Sequence, residues 1–482
     1  MNKLIKKGFV VLFFSIIFTM LLMTNIEEGA VSYVENRSLA SLTIENADGM
    51  SVGVENYLKD RIGLRRLMLF LYQEIYDLVF HEYAGPHTYG RNGYTFILTN
   101  GEIEDWQRNN LDYEFMDAKA KYIKGFQDVC EGKKIDFMFF IPSSKEAVYP
   151  EYFPTTILQS ESEASRMDIL LDALDKFHIN YVYTKDYFLS IKDKEQLYAV
   201  KYDPAHWNSN GAFEGIYLLL NEMKSKFPDL NLKGLKKEWF HISDRFVRKQ
   251  LNSDWIINDT LPEYELIETK SYRQEKYQSL GCSSYYSYYV NHDEPEGKTV
   301  LVFHDSYLMG REMFFTDNFA EVVFIHNENI NQFEQYLDIF SPDAVIFESV
   351  QWGLLRSPIG DPLQNISYED AENGSLQAEI QLSDLFTKVA VTGQDDLTII
   401  KGNAFFKDRR QAKKVIVIVG DKHYSASYNA DTGIFSIAIP TVHLQYADQA
   451  EIQLLDNENC FSEKKTVEIV WLCDKERFLA EQ

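Results

Sequence analysis

The sequence predicts an α/β domain with a mostly parallel sheet (residues 31–364), preceded by one transmembrane helix (1–30) and followed by a β-sandwich (365–482). Three patterns predict this order. An uncharged apolar stretch follows the N-terminal lysines, short apolar runs then alternate with helical segments, and closely spaced short runs fill the C-terminal part. The 482 residues exceed one ordinary domain, and 45% of them are hydrophobic, which is enough to build separate cores.

Residues 8–26 form the predicted membrane segment. They contain no charged residue and follow Lys3, Lys6 and Lys7. A helix of about 19 residues spans roughly 28 Å, close to the hydrocarbon thickness of a bilayer. The basic flank predicts a cytoplasmic N-terminus, with the following domains extracellular or periplasmic. A signal peptide cleaved near 28–30 is the alternative.

Short apolar runs predict the strands of a buried parallel sheet in the middle part. Helical periodicity at 55–81, 112–128, 161–177 and 213–223 supplies the expected helices. The predicted strands are 135–141, 181–183, 299–303, 321–325 and 344–348.

Short runs bounded by Gly, Asp and Asn predict an antiparallel β-sandwich near the C-terminus. No catalytic cluster is visible there, so a packing module and a carbohydrate-binding module both remain open. The predicted strands are 388–392, 397–400, 414–419, 424–428, 435–439, 451–455 and 466–471.

Charge and cysteine content exclude some classes of function. A net charge of −25 argues against nucleic-acid binding, which needs clustered Lys and Arg. The cysteines lack the close pairs of a zinc site, so neither a metal nor another cofactor is predicted. A Cys460–Cys473 disulfide and free thiols remain open. The four cysteines are Cys130, Cys282, Cys460 and Cys473.

Asp203, His206 and Ser306 are the residue types of nucleophilic acyl transfer. Ser306 follows an apolar strand, and in α/β sheets ligands bind at the carboxyl ends of strands. Ser would attack, His would take its proton, and Asp would orient the imidazole. The backbone N–H of Ser306 or Tyr307 is predicted to hold the oxyanion. Trp207 is predicted to stack on a sugar or to pack in the core.

Two alternatives remain for the histidines. His206 could be a structural residue before the helix at 213–223, and His304 could act as a local base beside Ser306.

Several segments, taken in their order along the chain, resemble the alginate O-acetylation proteins of the AlgX/AlgJ type, which are SGNH-hydrolase-like. This chain departs from the family in two places. The family has Asp two residues before His, where this chain has Pro204 and the acid is Asp203; the family has Gly where this chain has His304. The matching segments are 35–40, 60–65, 90–96, 142–150 with Lys145, 203–212, 304–306 and 342–348.

The resemblance covers about residues 30–360 and implies an SGNH-like domain. It also implies an O-acetyltransferase that modifies a cell-surface or secreted polysaccharide through an acetyl ester on Ser306. The implied partner is a multi-span membrane-bound O-acyltransferase that supplies the acetyl group. Two alternatives are a carbohydrate acetylesterase and a non-catalytic polysaccharide-binding or assembly protein. The C-terminal sandwich is similar in layout to the module of the carbohydrate-binding family member.

Overall fold

A computed structural model describes residues 3–27, 30–32, 37–41, 50–75, 79, 87–97, 100–109, 111–155, 157–160, 164–250, 256–274, 277, 285–294, 296–356, 363, 374–382, 397–420, 422–440, 443 and 449–468. The N-terminal elements are α1 (Lys3–Leu22), β1 (Val31–Ser32), β2 (Arg37–Ser38), α2 (Met50–Arg61), α3 (Arg65–Ile75), β3 (His87–Tyr89), β4 (Thr95–Ile97) and α4 (Asn100–Gln107).

Helix α1 covers most of the predicted membrane segment. Within the ranges given above, no helix is long and apolar enough to cross a membrane. The anchor and its topology stay predictions.

The single helix predicted over 55–81 is two helices in its described part, because the chain turns between α2 and α3. Leu64 adopts a φ of 62° in this turn. The Gly63 N–H donates to the Met20 carbonyl at 2.9 Å, and a Cβ on Gly63 would lie 2.5 Å from that oxygen. Glycine therefore permits the turn to approach the end of α1.

Two of the segments that carry the resemblance contact each other here. The Asp60 carboxylate accepts the Ala40 N–H at 2.8 Å, and Arg61 Nε donates to the Ala40 carbonyl at 2.8 Å. Arg61 is buried and also donates to the carbonyls of Asn25 and Glu27. These bonds join 37–41 to the end of α2.

The middle part is an α/β fold built on a seven-stranded mixed sheet. Its elements are α5 (Tyr113–Gly132), β5 (Asp136–Ile141), α6 (Lys145–Val148), α7 (Arg166–Lys176), β6 (Tyr181–Tyr183), α8 (Lys185–Ile191), α9 (Ser209–Lys226), β7 (Phe240–Gln250), β8 (Ile256–Leu266), β9 (Ser271–Gln274), β10 (Ser287–Asn291), β11 (Thr299–His304), β12 (Glu321–His326), α10 (Phe333–Phe340), β13 (Ala344–Glu348) and α11 (Gln351–Leu354).

The strand order is β6-β5-β13-β11-β12-β10-β9. The first five strands are parallel, which confirms all five predicted strands. Strand β10 runs antiparallel to its two neighbours, β12 and β9. Neither β10 nor β9 was predicted. Alternate strand residues face opposite layers, so α5, α7 and α10 pack on one face and α9 on the other. The carboxyl ends of the parallel strands therefore share one edge.

The C-terminal part forms one seven-stranded antiparallel sheet, where two packed sheets were predicted. Leu376 bridges to Ser462, which brings the first strand close to the last and makes the sheet barrel-like. Strand β14 was not predicted, and the strand predicted at 388–392 lies outside the described residues. The strands are β14 (Ala378–Leu382), β15 (Leu397–Phe406), β16 (Ala412–Val419), β17 (Lys422–Tyr428), β18 (Ile434–Pro440), β19 (Gln449–Asp456) and β20 (Lys465–Glu468).

Helix α10 joins the two sheets. Lys414 of β16 pairs with Glu334, and the Ser425 N–H of β17 donates to Asp338 at 3.2 Å. Lys133 also pairs with Asp338 at 2.7 Å, while burial raises the pKa of Asp338 to about 6. The boundaries predicted at 30/31 and 364/365 stay predictions.

Candidate active site

The structure brings together Asp203, His206 and Ser306. His206 Nε2 lies 2.9 Å from Ser306 Oγ, and His206 Nδ1 lies 3.0 Å from Asp203 Oδ2. These distances suit proton transfer from Ser306 to the imidazole and orientation of the imidazole by the carboxylate. A purely structural role for His206 does not account for its contact with Ser306.

The loop that carries Asp203 and His206 folds around the carboxylate. Asp203 Oδ1 accepts the backbone N–H groups of Ala205 and His206, each at 2.9 Å. With the acid three residues before the histidine, the Asp203 carboxylate makes these two hydrogen bonds and still contacts the imidazole, so the spacing of this chain is compatible with a triad. Behind the loop, Tyr198 forms an isolated β-bridge with Trp207. The loop ends at α9, whose N-cap is Asn208.

Charge stabilisation links the two side chains of this loop. Although burial raises the pKa of Asp203, hydrogen bonds and the charge of His206 lower it to about 2. Burial lowers the pKa of His206, but the Asp203 carboxylate outweighs this effect, and the net pKa is raised. Asp203 is therefore ionised at neutral pH and placed to stabilise a positive charge on the His206 ring.

Lys145, which lies in one of the family-like segments, donates hydrogen bonds to the backbone of this loop. Its side chain is 1% exposed, and its ammonium donates to the carbonyls of Asp203 at 3.0 Å and Val200 at 3.3 Å. Burial lowers the pKa of Lys145 to about 7, against the opposing carboxylates of Asp203 and Asp259. Lys145 contacts the main-chain carbonyl of Asp203 and not its carboxylate, so Lys145 positions the loop.

Asp305 organises the turn that presents Ser306. Its carboxylate accepts the N–H groups of Tyr307 and Val350, each at 2.9 Å. Its own N–H donates to Glu348 Oε2 at 2.8 Å. Glu348 is completely buried, and burial followed by the nearby Asp305 carboxylate raises its pKa well above the usual range. The turn after β11 is thus tied to the end of β13.

The two remaining predicted site residues are buried. Tyr307 is 1% exposed, and its N–H already donates to Asp305, so the predicted oxyanion role does not fit this geometry. The Ser306 N–H has no partner among the described residues and is available for the oxyanion.

Trp207 is 3% exposed and donates its indole N–H to the Tyr307 carbonyl at 2.8 Å. Its ring packs against Phe140 and Phe188 in the core. Of the two predicted roles for Trp207, the packing role fits this position and sugar stacking does not.

His304 does not act on Ser306 in this geometry. It is 1% exposed, with Nδ1 2.7 Å from the Asp305 carbonyl and Nε2 3.3 Å from the Tyr285 carbonyl. Burial lowers its pKa, despite the two carbonyl contacts. The local-base alternative is therefore not supported by its contacts.

A cavity of about 540 Å³ opens at the triad. The triad residues, Arg311, Met309 and Met313 line it together with residues of the hairpin formed by β7 and β8. Arg311 donates to Ser209 Oγ at 3.1 Å. The cavity lies at the carboxyl edge of the parallel strands, where the sequence predicted a ligand site.

The hairpin, Arg311 and the role of Glu348 were not predicted from the sequence. The hairpin strands are long but carry many polar residues, and their alternation is a signal that could have revealed them. Arg311 follows Ser306 by only a few residues, but proximity along the chain does not indicate which cavity a side chain lines.

One group of potential metal ligands occurs within the described ranges, at Asp456, Glu458 and Cys460 in the C-terminal sheet. Asp456 already pairs with Arg410 at 2.8 Å and accepts backbone N–H groups from Glu458 and Cys460. Cys473, the other half of the disulfide alternative, lies outside the described residues.

Comparisons with known proteins give structural neighbours only. No family model matches the sequence, and no curated protein matches it. Bacillus cereus PatB1 is 14% identical, with a TM-score of 0.43, over 56% of this chain and 96% of PatB1. The O-acetyltransferase domain of Pseudomonas putida AlgJ is 11% identical, with a TM-score of 0.40, over 56% of this chain and 92% of that domain.

Pseudomonas aeruginosa AlgX is 10% identical, with a TM-score of 0.37, over 82% of this chain and 93% of AlgX. AlgJ and AlgX, the proteins that the sequence motifs resemble, are thus among the structural neighbours of this chain.

Proposed function

We propose that this protein is an O-acetyltransferase that transfers an acetyl group to hydroxyls of a cell-surface or secreted polysaccharide. The observation that carries the proposal is the hydrogen-bonded chain from Ser306 through His206 to Asp203, which opens into a cavity. The motif resemblance to the AlgX/AlgJ type indicates that the acyl group is acetyl and that the acceptor is a polysaccharide.

In the first half-reaction, Ser306 Oγ attacks the acetyl carbonyl carbon while His206 Nε2 takes the serine proton. The Ser306 N–H stabilises the oxyanion of the tetrahedral intermediate. When the intermediate collapses, the donor oxygen leaves with the proton from His206, and an acetyl ester remains on Ser306. Asp203 stays ionised throughout and stabilises the imidazolium.

The second half-reaction runs the same steps with an acceptor hydroxyl. The acceptor oxygen attacks the ester carbonyl and gives its proton to His206. Collapse then returns that proton to Ser306 and releases the acetylated sugar. The donor ester and the acceptor hydroxyl have exchanged the acetyl group, and no cofactor is consumed.

The decisive test is the turnover of an activated acetyl ester by wild type, Ser306→Ala and His206→Ala. Both substitutions should lower kcat/KM by at least about 10³-fold, because each removes a group needed for acyl-enzyme formation. Full activity of Ser306→Ala would refute the proposal. If wild type is also inactive and still binds glycan, the non-catalytic alternative is correct.

A carbohydrate acetylesterase is the second candidate, because water can reach a cavity that is open to solvent and replace the sugar hydroxyl. The two candidates share the acetyl ester on Ser306. Mass spectrometry of an oligosaccharide incubated with the acetyl donor separates them. A sugar that gains one acetyl group in place of a hydrogen supports transfer, and an unchanged sugar with free acetate supports hydrolysis.

We also propose that residues 8–26 anchor the protein beside a multi-span O-acyltransferase that supplies the acetyl group. Acyl-CoA is not available outside the cell, so the donor must come through the membrane. A form lacking residues 1–26 should hydrolyse a soluble ester at the wild-type rate but fail to acetylate polymer in cells. Normal polymer acetylation by this form would refute the anchor.

A further inference from the structure

The β7–β8 hairpin lines the same cavity as the triad residues. Arg245 and Val247 of β7 and Leu261 and Glu263 of β8 line the cavity. Arg245 lies directly across from Leu261 in the strand register. We call these four residues the hairpin face.

The hairpin is fixed in position relative to the triad. Asp259 of β8 accepts the backbone N–H groups of Lys201 and Tyr202, at 3.1 and 3.2 Å, immediately before Asp203. Tyr264 is buried and donates its hydroxyl to Asn210 in the first turn of α9 at 2.9 Å. Both ends of the catalytic loop are therefore bonded to the hairpin. A ligand on the hairpin face would be held at a defined distance from Ser306.

The cavity is larger than the acyl group needs. Its volume of about 540 Å³ is in the range of sites that hold drug-sized ligands. An acetyl group has only three heavy atoms and would occupy a small part of it. The rest of the cavity can hold the acceptor while its hydroxyl approaches the Ser306 ester.

The hairpin face offers the two kinds of contact that a pyranose ring needs. Val247 and Leu261 are apolar and can pack against the C–H groups of the ring. Arg245 pairs with Glu263 at 3.0 Å, and both side chains remain partly exposed to solvent at 63% and 41%. The pair can donate to one hydroxyl and accept from its neighbour.

The charge of the hairpin face favours an uncharged acceptor, and Arg311, a cation elsewhere in the cavity lining, is not part of this face. Glu263 compensates the charge of Arg245, so the hairpin face presents no free cation to a carboxylate. The net charge of −25 also repels a polyanion at long range.

We propose that the hairpin face is the acceptor site and that it holds an uncharged, hydroxyl-rich sugar unit of the polysaccharide. This inference rests on the proposed function and specifies the acceptor. The Arg245–Glu263 pair bonds to ring hydroxyls, and Val247 with Leu261 packs against the ring.

The first experiment compares wild type with Arg245→Ala and Glu263→Ala, using an activated acetyl ester and a neutral oligosaccharide such as chitopentaose or cellopentaose. The measured quantity is the ratio of sugar acetylation to ester hydrolysis. Each substitution should lower this ratio about tenfold, as expected for the loss of one charge-assisted hydrogen bond. Phe246→Ala is the matched control. Phe246 neighbours Arg245 on the same strand, but it is 65% exposed and does not line the cavity.

The double variant Arg245→Glu with Glu263→Arg separates a ligand contact from hairpin support. It restores the ion pair with the charges exchanged, so it should keep the hairpin folded while the ratio stays low. Recovery of the wild-type ratio would mean that the pair only supports the hairpin and would overturn the proposal. An acidic oligogalacturonide acetylated as well as the neutral sugars would overturn the choice of an uncharged acceptor.

A binding measurement keeps this inference distinct from the proposed function. Saturation-transfer NMR on Ser306→Ala should detect the neutral oligosaccharide, and Arg245→Ala in the same background should weaken binding about tenfold. This result is expected whether the wild-type reaction is transfer or hydrolysis. Absence of binding to Ser306→Ala, or equal binding with and without Arg245, would overturn the acceptor site even if the triad is active.

Discussion

Two aspartates flank the catalytic pair, and their surroundings give them opposite tasks. Asp203 is 34% exposed, contacts the imidazole and has its pKa lowered to about 2. Asp305 directs its carboxylate to backbone N–H groups and lies beside the fully buried Glu348. In the proposed mechanism, one carboxylate therefore acts on a side chain that changes charge, and the other fixes the backbone that presents Ser306.

The difference shows that environment decides the role of a carboxyl group. Ionised Asp203 suits the proposed reaction, in which a positive charge develops on His206. Glu348 has the opposite environment, since burial and a neighbouring carboxylate both favour its neutral form. Substitutions on the Asp203 side should change catalysis and its pH dependence, and those on the Asp305 side should change stability.

The largest effect is expected for Asp203→Asn. Asn would favour the wrong imidazole tautomer, so kcat/KM should fall about 10³- to 10⁴-fold. The His206 base must be neutral, so activity falls as pH decreases through its pKa. Because Asp203 raises that pKa, its loss should move the acidic limb of the kcat/KM profile to lower pH. A wild-type rate in Asp203→Asn, with His206→Ala inactive, would reduce the triad to a Ser306–His206 dyad.

A smaller effect on activity is expected for Glu348→Gln, which keeps an oxygen for the Asp305 N–H without a titratable proton. Its kcat/KM should stay within about threefold of wild type. The raised pKa of folded Glu348 means that its contribution to stability is complete below the unfolded pKa and is lost as pH rises toward the folded value. Gln does not titrate, so Glu348→Gln does not lose this stability as pH rises. The free energy of unfolding of Glu348→Gln, relative to wild type, should therefore increase from pH 4 to pH 8.

Glu348→Ala is the control for this substitution. It removes the acceptor and leaves a buried N–H unsatisfied, at a cost of about 1–3 kcal/mol relative to Glu348→Gln. This difference should be the same at both pH values, because neither variant titrates at position 348. Denaturant unfolding at both pH values measures the two variants. A relative stability of Glu348→Gln that does not change with pH would show that folded Glu348 titrates normally.

The same contrast explains which features the sequence could predict. Ser306 could be placed at the carboxyl edge of the sheet because it follows a predicted strand. Asp203 and His206 could be joined to it because the three residue types are complementary and because their motif resembles that of the AlgX/AlgJ type. Glu348 ends an apolar run, but only the tertiary fold reveals that its carboxyl group is buried beneath the Asp305 turn. Asp259 likewise sits in an unremarkable polar strand, and its bonds to 201–202 depend on where the hairpin packs.

In the C-terminal part, local patterns predicted most strands but not how they associate. Alternating residues indicate a half-buried strand, and they do not distinguish two packed sheets from one sheet that curls. The bridge from Leu376 to Ser462 is a contact between residues far apart in the sequence. Strand β14 (Ala378–Leu382) was not predicted.

The smallest effect on catalysis is expected for His304→Gln. His304 precedes Asp305, but its ring nitrogens face the carbonyls of Asp305 and Tyr285. Gln can donate to one of these carbonyls, so the variant should lose about 1–2 kcal/mol of stability and keep kcat/KM within about twofold of wild type. The acidic limb of its pH profile should match wild type, because His206 alone takes the serine proton. A shifted acidic limb, or a loss of kcat/KM as large as in His206→Ala, would show that His304 takes part in proton transfer. The Asp305 side would then contribute to catalysis as the Asp203 side does.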